Sequence, residues 1–262
     1  MVGLTLAGRD LIGIRADNPG PFTLTGTNSW IVGREPAWLI DPGPPLPAHL
    51  EALDAEVGRR GGLAGIVLTH DHLDHAGAVP ELRRRYPDAR LAAARGQVDV
   101  RLADGDHVGP LDAMSLPGHA PDHLVFLDDG VAFTGDAVLG QGSVFISPDP
   151  GALADYLAGL ERLKARRPAA LCPGHGPLVE DPRAKLEEYM AHRRDRERRL
   201  LDALAAGKRS VDELLDTVWS DAPAELRRAA AVTLAAHLDK LQAEGRLPDG
   251  VERPGGPPPG SV

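Results

Sequence analysis

From residue 22 onward the chain alternates short apolar runs with turn residues. Residues 22–33 (FTLTGTNSWIVG) and 37–41 (AWLID) are rich in Thr, Ile, Val and Trp, with Glu35-Pro36 between them, which predicts a β-hairpin. The run 65–69 (GIVLT) has the pattern of a buried strand feeding a loop, and 77–86 reads as a helix. Further strands are predicted at 89–94, 113–117, 124–128, 131–135, 143–146 and 169–172. Leu153, Leu157, Leu160 and Leu163 recur at helical spacing and predict a helix over 151–166. Strands thus come in two blocks, each followed by helix, which is an α/β arrangement without regular βαβ alternation.

The texture changes after Pro182. A long charged helix is predicted over 183–206, with Leu186, Tyr189, Met190, Leu200, Leu201 and Leu204 as its apolar side, followed by helices over 211–219 and 225–243. Ser210 with Glu213 three residues on is a capping-box signature, and Gly245 is a stop. Three helices ending in EGRL resemble a winged-helix unit. Residues 249–262 are rich in Pro and Gly and predict a disordered tail. The division expected is a catalytic unit at 1–182, a helical unit at 183–248 and the tail.

Composition narrows the classes. The net charge of −9 offers no global attraction to nucleic acid or anionic membranes. Residues 183–248 hold 13 Lys and Arg against 12 Asp and Glu, so that segment is +1 and the remainder −10. A single cysteine, Cys172, forms neither an intrachain disulfide nor a thiolate zinc site. Arg9, Asp10 and Arg15 interrupt any signal-like apolar run, and no run reaches membrane-spanning length, so a cytoplasmic protein without membrane contact is expected.

The chemistry concentrates in Thr69-His70-Asp71-His72-Leu73-Asp74-His75. Neutral imidazole and carboxylate suit zinc and related first-row metals. Ligands this close can converge from a turn after a strand, His70 and His72 to one position, Asp74 and His75 to its neighbour. His119 (LPGHAPDH), Asp136 (FTGDAVLG) and His175 (CPGHGP) each sit in a Gly-rich turn after a predicted strand and are the candidates to complete the set. Seven ligands exceed one tetrahedral ion. His49, His107, His192 and His237 have no such context and are read as structural or surface residues.

In order, these motifs resemble the metallo-β-lactamase superfamily, H-x-H-x-D-H followed by a distant His, Asp and His. The resemblance implies a four-layer αββα sandwich with metals at one sheet edge. It implies His70, His72 and His119 on one metal, Asp74, His75 and His175 on the other, and Asp136 bridging both. Asp41 in LIDPG resembles the superfamily's first motif Asp, a support for the ligand loop. NPGPFTLTGTNSWIVG, GHAPDH, TGDAVLGQGS, PGHGPLVEDPRAKLEEYMAHRRDRE and AAHLDKLQAEGRL resemble the β-lactamase-like protein 2 family, which joins this sandwich to a small C-terminal winged-helix-like domain.

The function expected is hydrolysis by a hydroxide held between two zinc ions, with Mn or Fe as the other candidates; Asp74 and Asp136 are the catalytic carboxylates. Animal members of the resembled family cut single-stranded RNA, and related fungal members hydrolyse thioesters on acyl carrier proteins. The substrate expected is therefore single-stranded RNA, or alternatively a small ester or thioester. A nucleic-acid-binding winged-helix protein with a vestigial metal site is a third reading. Asn28 and Ser29 resemble the family's TN motif, with substrate binding, loop support or plain strand polarity open to them. His123 suggests a bond to a ligand, a substrate contact or a packed ring. Arg193, Arg194, Arg196, Arg198 and Arg199, interleaved with Asp195 and Glu197, form the basic run, which reads as a solvated helix face or a phosphate-contacting edge.

Overall fold

A computed structural model describes residues 3–6 and 8–255. Its strands are β1 (Gly3–Thr5), β2 (Leu11–Arg15), β3 (Asn28–Val32), β4 (Ala37–Ile40), β5 (Leu63–Val67), β6 (Arg90–Ala93), β7 (Val100–Arg101), β8 (His107–Val108), β9 (Leu111–Ser115), β10 (Leu124–Asp128), β11 (Val131–Gly135) and β12 (Ala170–Pro173). Its helices are α1 (Pro47–Arg59), α2 (Leu73–Ala76), α3 (Val79–Arg85), α4 (Ala152–Ala165), α5 (Pro182–Ala205), α6 (Val211–Val218) and α7 (Arg227–Ala243). One sheet has the order β1 to β7 and the other β12-β11-β10-β9-β8.

Side-chain alternation along the strands builds the layers. On the first sheet Trp30, Val32, Trp38, Ile40 and Val67 face the second sheet, where they meet Leu111, Leu124, Phe126, Phe133 and Cys172. The residues between them, Ile31, Leu39 and Ile66, face Leu50, Leu53 and Val57 of α1 and Leu82 of α3. On the far side of the second sheet, Val125, Ala132 and Leu171 pack on Leu153, Tyr156 and Leu160 of α4 and on Leu186 and Tyr189 of α5. The result is the αββα sandwich. Parallel and antiparallel pairs mix: β4, β5, β6 and β7 run parallel, as do β11 and β12.

Several expectations need correction. The strand predicted from residue 22 begins at Asn28, because Thr23 Oγ1 donates to Asn18 O and Gly26 takes a φ of 122°, closing a turn instead. β3 then pairs with β2 as well as β4, so the hairpin is part of a wider sheet. β1, β2, β7, β8 and α1 lie where no element was expected. The helix expected over 77–86 is α3, shorter at both ends, and α2, just before it, lies where no helix was expected. No strand forms at 143–146: Val144 O accepts from Arg193, and Ile146 N donates to Thr233 Oγ1, so helix side chains take the groups a ladder would use.

The C-terminal helices share a second core of Leu200 and Leu204 from α5, Leu214, Leu215 and Val218 from α6, and Leu234, Leu238 and Leu241 from α7. The Ser210–Glu213 capping box opens α6. α5 serves both cores, its first half on the sandwich and its last turns here. The described part of the predicted disordered tail is ordered: Glu252 N donates to Arg209 O, its carboxylate accepts from Val211 N, and Val251 packs on the helical core. The rest of that tail, residues 256–262, lies outside the described residues. No described helix is long and apolar enough to cross a membrane.

Candidate metal centre

Strand direction gathers the predicted residues at one edge. β9, β11 and β12 end, and β10 begins, on the same side of the second sheet. Leu124 N donates to Thr69 O at 2.7 Å, which joins the turn after β5 to that edge. His70 to His75 follow β5, His119 follows β9, Asp136 follows β11 and His175 follows β12. Three groups of ligand atoms each lie within 4.8 Å of one another: His70, His72 and His119; Asp74, His75 and His175; and His70, His75 and Asp136. All seven candidate ligands are therefore brought together.

Asp136 faces both sets. Its Oδ2 is 3.7 Å from His119 Nε2, and its Oδ1 is 3.4 Å from both His75 Nε2 and His175 Nε2. Asp74 Oδ2 is 3.1 Å from His175 Nε2. Two glycines allow this closeness. A Cβ on Gly174 would stand 2.6 Å from His75 Cε1 and 2.7 Å from Asp136 Oδ1, and one on Gly135 would stand 2.4 Å from Thr69 Oγ1.

The outward ring nitrogens are committed elsewhere. His75 Nδ1 donates to Asp41 Oδ2 at 2.9 Å. Thr69 Oγ1 donates to Asp41 Oδ2 at 2.6 Å and so accepts from His70 Nδ1 at 3.0 Å. His119 Nδ1 donates to Phe145 O at 3.3 Å and His175 Nδ1 to Gly26 O at 3.4 Å. In the neutral rings these bonds leave a lone pair on each Nε2, aimed at the centre. Nitrogens then face one another: His70 Nε2 and His72 Nδ1 at 2.9 Å, His119 Nε2 and His72 Nδ1 at 3.1 Å, His75 Nε2 and His175 Nε2 at 3.3 Å. Buried Asp136 Oδ1 has no hydrogen-bond partner. Converging lone pairs and an orphaned carboxylate oxygen fit divalent cations, which supply the missing positive charge.

The protonation balance carries the same imprint. Burial, with repulsion from neighbouring histidines, holds His70 and His123 well below the usual histidine range. Burial also takes His119 down to about 4, against the pull of Asp136. At His75 and His175 burial is outweighed by the carboxylates: Asp136 and Asp41 raise His75 well above its usual value, and Asp136 and Asp74 raise His175 to about 9. Asp136 is held well below the carboxylate range, burial being overcome by His175 and His75.

The remaining candidates divide. Asp41, at a φ of 51°, also accepts from Thr69 N at 2.7 Å, so it clamps the ligand turn. Asn28 Nδ2 donates to Pro173 O at 3.1 Å and Gly176 O at 2.9 Å, while Asn28 N donates to Gly174 O, strapping the His175 turn to β3. Ser29 is not at the centre: its Oγ meets His49 Nε2 at 3.0 Å beneath the sheet. His123 is fully buried, stacks on His70 at 5.0 Å, and its Nε2 accepts from Asp136 N at 3.1 Å, which makes it a prop for the Asp136 turn rather than a substrate contact. Cys172 lies between the sheets, its thiol pushed up by burial. Of the other histidines, His49 and His237 are buried and His107 is exposed.

The basic run needs correction on two members. Arg193 and Arg196 are buried, not solvated. The exposed Arg194 and Arg198 and the half-buried Arg199 are paired with Glu161, with Asp195 and Asp202, and with Asp195, respectively. Pattern alone did not single out Thr69, Phe145 or the aromatic Phe22. Phe145 packs on His119 at 4.5 Å between ring centroids, and Phe22, 54% exposed, meets it edge-on.

Comparison with known proteins agrees with this geometry. Residues 22–99 and 96–175 match the metallo-beta-lactamase superfamily, and residues 210–249 match the beta-lactamase associated winged helix domain. Among the described residues, no strand follows α7 to form a wing. A beta-lactamase-like protein 2 homolog from Drosophila melanogaster is 30% identical over 267 residues, covering 90% of this chain and 89% of its own. An atrochrysone carboxyl ACP thioesterase from Cryptosporiopsis sp. is 31% identical over 205 residues, covering 74% of this chain and 62% of its own. The crystal structure of a beta-lactamase domain protein from Burkholderia ambifaria superposes with a TM-score of 0.82 at 23% identity, covering 95% of this chain and 91% of that one. With its sandwich, its histidine and aspartate cluster and its C-terminal helical unit, the chain belongs to the metallo-beta-lactamase superfamily of hydrolases, alongside the beta-lactamase-like protein 2 homologs.

Proposed function

We propose that the cluster holds two zinc ions and that the protein hydrolyses a small ester or thioester. The observation that carries the substrate class is the charge of the groove. A cleft of about 1200 Å³ opens over His72, Asp74, His119, Asp136 and His175. Apart from those candidate ligands, its charged lining is Asp149, Asp212, Glu225 and Glu252 against Arg228 and Arg253. An RNA strand needs its phosphates neutralised, and binding strength follows the number of cations that do so. This groove is net acidic, Arg194, Arg198 and Arg199 of α5 already have carboxylate partners, and the whole chain is −9. A neutral ester or thioester meets no such penalty. The thioesterase from Cryptosporiopsis sp. among the relatives supports the same class.

His70, His72 and His119 would hold one ion, Asp74, His75 and His175 the other, with Asp136 between. Bound there, such cations lower the pKa of water and polarise the carbonyl oxygen under attack. The chain's own residues do the rest. Asp41 and Thr69 keep the imidazoles in the tautomer that presents lone pairs inward. Asp74 is the carboxylate whose side chain keeps 31% exposure toward the cleft. Its carboxyl is held below the usual carboxylate range, burial being outweighed by the positive charge at His175, a charge that a cation bound there would supply in its place, so it is ionised at neutral pH. It is placed to orient the attacking water, take its proton and return it to the departing thiolate or alkoxide, while the carbonyl carbon exchanges its C–S or C–O bond for one to the water oxygen. Phe22 and Phe145 wall the approach beside His119.

A 183–248 unit that shapes access to the cleft follows from Arg228, Ala229 and Val232 of α7 lining it. The test is a side-by-side assay of zinc-loaded protein on acyl thioesters of N-acetylcysteamine and on a fluorogenic single-stranded RNA, with elemental analysis of the same sample. Thioester turnover with two zinc ions per chain supports the reading. RNA cleavage that weakens with salt, without thioester turnover, would reverse it in favour of an endoribonuclease. A ceiling of one metal would overturn the paired centre.

A further inference from the structure

A second cavity, of about 520 Å³, leaves the centre at His119 and Asp136 and is walled by Leu24, Val144 and Leu226 together with α5. Its lining is mostly hydrocarbon, yet α5 contributes Glu188, Tyr189, His192, Arg193 and Arg196 to it and Asp221 lies beside them, with Glu188 paired to Lys185 and Asp221 to Arg196. Among the described residues three arginines are buried, and two have the counter-charge that burial demands. Arg60 pairs with Glu56 at 2.7 Å, and Arg196 forms a two-pronged pair with Asp221 at 2.7 and 2.8 Å. Arg193 does not. It is 2% exposed, donates to Val144 O and lies over the Tyr156 ring at 5.7 Å. Its Nε has no hydrogen-bond partner, and among the described residues no carboxylate is within salt-bridge reach of it. A buried cation without an anion is costly, and mere packing at this position would be better served by a neutral side chain.

Its neighbour completes the pattern. Arg196 Nε donates to His192 Nε2 at 3.2 Å, so the proton of the neutral His192 ring sits on Nδ1, a buried donor with no partner. Burial, with Arg193 and Arg196 nearby, takes His192 down to about 4, so it adds a donor without adding charge. His192 and Arg193 thus bring to the wall of a mostly apolar chamber, which opens at the reacting centre, one positive charge without a counter-ion and one N–H without a partner. That complements a monoanion on an apolar stem, and the guanidinium fork suits a carboxylate.

We propose that this cavity is the acyl subsite and that Arg193, assisted by His192, binds a carboxylate at the far end of the acyl group, so that the preferred substrates are half-esters or half-thioesters of dicarboxylic acids. This rests on the ester or thioester reading above, but its binding test does not. The probes are the N-ethyl monoamides of succinic, glutaric and adipic acids, each beside the N-ethylamide of the corresponding monocarboxylic acid that ends in methyl. They are titrated by calorimetry into zinc-loaded wild type and Arg193→Met. Neither series carries the bond to be cleaved. At least one carboxylate member should bind wild type about tenfold or more tightly than its methyl twin, as expected for a charged hydrogen bond. That preference should vanish in Arg193→Met, whose Tm should not fall, since an unpaired buried charge has been removed. Should the Met variant not fold, Arg193→Gln, which retains a donor for Val144 O, carries the same comparison. Equal affinity within every pair would overturn the proposal. So would a preference that survives in the variant, because the carboxylate is then held elsewhere. The matching thioesters separate the two readings. An Arg193-dependent amide preference without thioester turnover retains the anion site and rejects the activity, whereas turnover indifferent to the terminal carboxylate does the reverse.

Discussion

Replacing Asp41 by Asn tests how the imidazoles are set. The Asp41 carboxylate receives three hydrogens: from Thr69 N at 2.7 Å, Thr69 Oγ1 at 2.6 Å and His75 Nδ1 at 2.9 Å. Asn has the same shape but one acceptor oxygen. The Thr69 amide cannot reverse its bond and keeps that oxygen, so the new NH2 faces Thr69 Oγ1 and His75 Nδ1. The relay must then run backward. Thr69 Oγ1 donates to His70 Nδ1, and His75 Nδ1 becomes an acceptor, so both rings carry their proton on Nε2, toward the centre. A protonated nitrogen cannot ligate. Loss of such a supporting partner costs about 10- to 100-fold in metal affinity, or about 1.4 to 2.7 kcal/mol. Losing a hydrogen bond to a charged group costs roughly 1.5–3 kcal/mol of stability. Zinc affinity is measured by competition with a chromophoric chelator, and stability by thermal unfolding with chelator present. A folded Asp41→Asn protein that binds both ions with wild-type affinity would refute the relay. Thr69→Val sharpens the test, because it removes the link to His70 and leaves the His75–Asp41 bond in place.

Asp136→Ala is expected to lose about 100-fold in kcat, the upper end of what loss of even an outer partner of a ligand costs, while remaining folded, because its two oxygens face different ligand groups; wild-type kcat at saturating zinc would show that it bridges nothing. His237 is buried and held down to about 3 by burial, with Arg193 and Lys240 repelling its charge. Its folded pKa lies below the unfolded value near 6.5, so its contribution is complete above pH 6.5 and lost as pH falls toward 3, on the order of 4 kcal/mol in all. Urea unfolding of wild type and His237→Leu at pH 7, 5 and 4 should therefore show the variant gaining stability relative to wild type on acidification; a constant difference would refute it. Leu238→Ala, at the centre of the C-terminal core, should cost about 2–5 kcal/mol; a denaturation midpoint unchanged from wild type would mean that this core does not contribute to global stability.

The parts of this protein legible in the sequence are those set by short-range rules. β10 and β11 stand where short apolar runs predict them, and Ser210 with Glu213 caps α6 because a capping box needs only four consecutive residues. The convergence of the candidate ligands was legible for the same reason: His70 to His75 lie in one turn, and His119, Asp136 and His175 each follow a strand in a turn rich in glycine.

Partners distant in the chain were decided only by tertiary structure. Ser29 and Asn28 are neighbours in sequence, yet strand alternation sends Ser29 to His49 and Asn28 to the His175 turn, and only the neighbouring elements tell those environments apart. His123 becomes a prop for Asp136 because β10 and β11 lie side by side, and Arg193 and Arg196 are buried because α5 is pressed between two cores. The charge run in α5 reads as a solvated face, since a helix sequence shows which residues share a stripe but not how many sides are covered. Chemistry is written locally, in the ligand turns; protonation, tautomer and charge balance are set by burial and by partners tens of residues away, and these exist only once the two sheets have closed on each other.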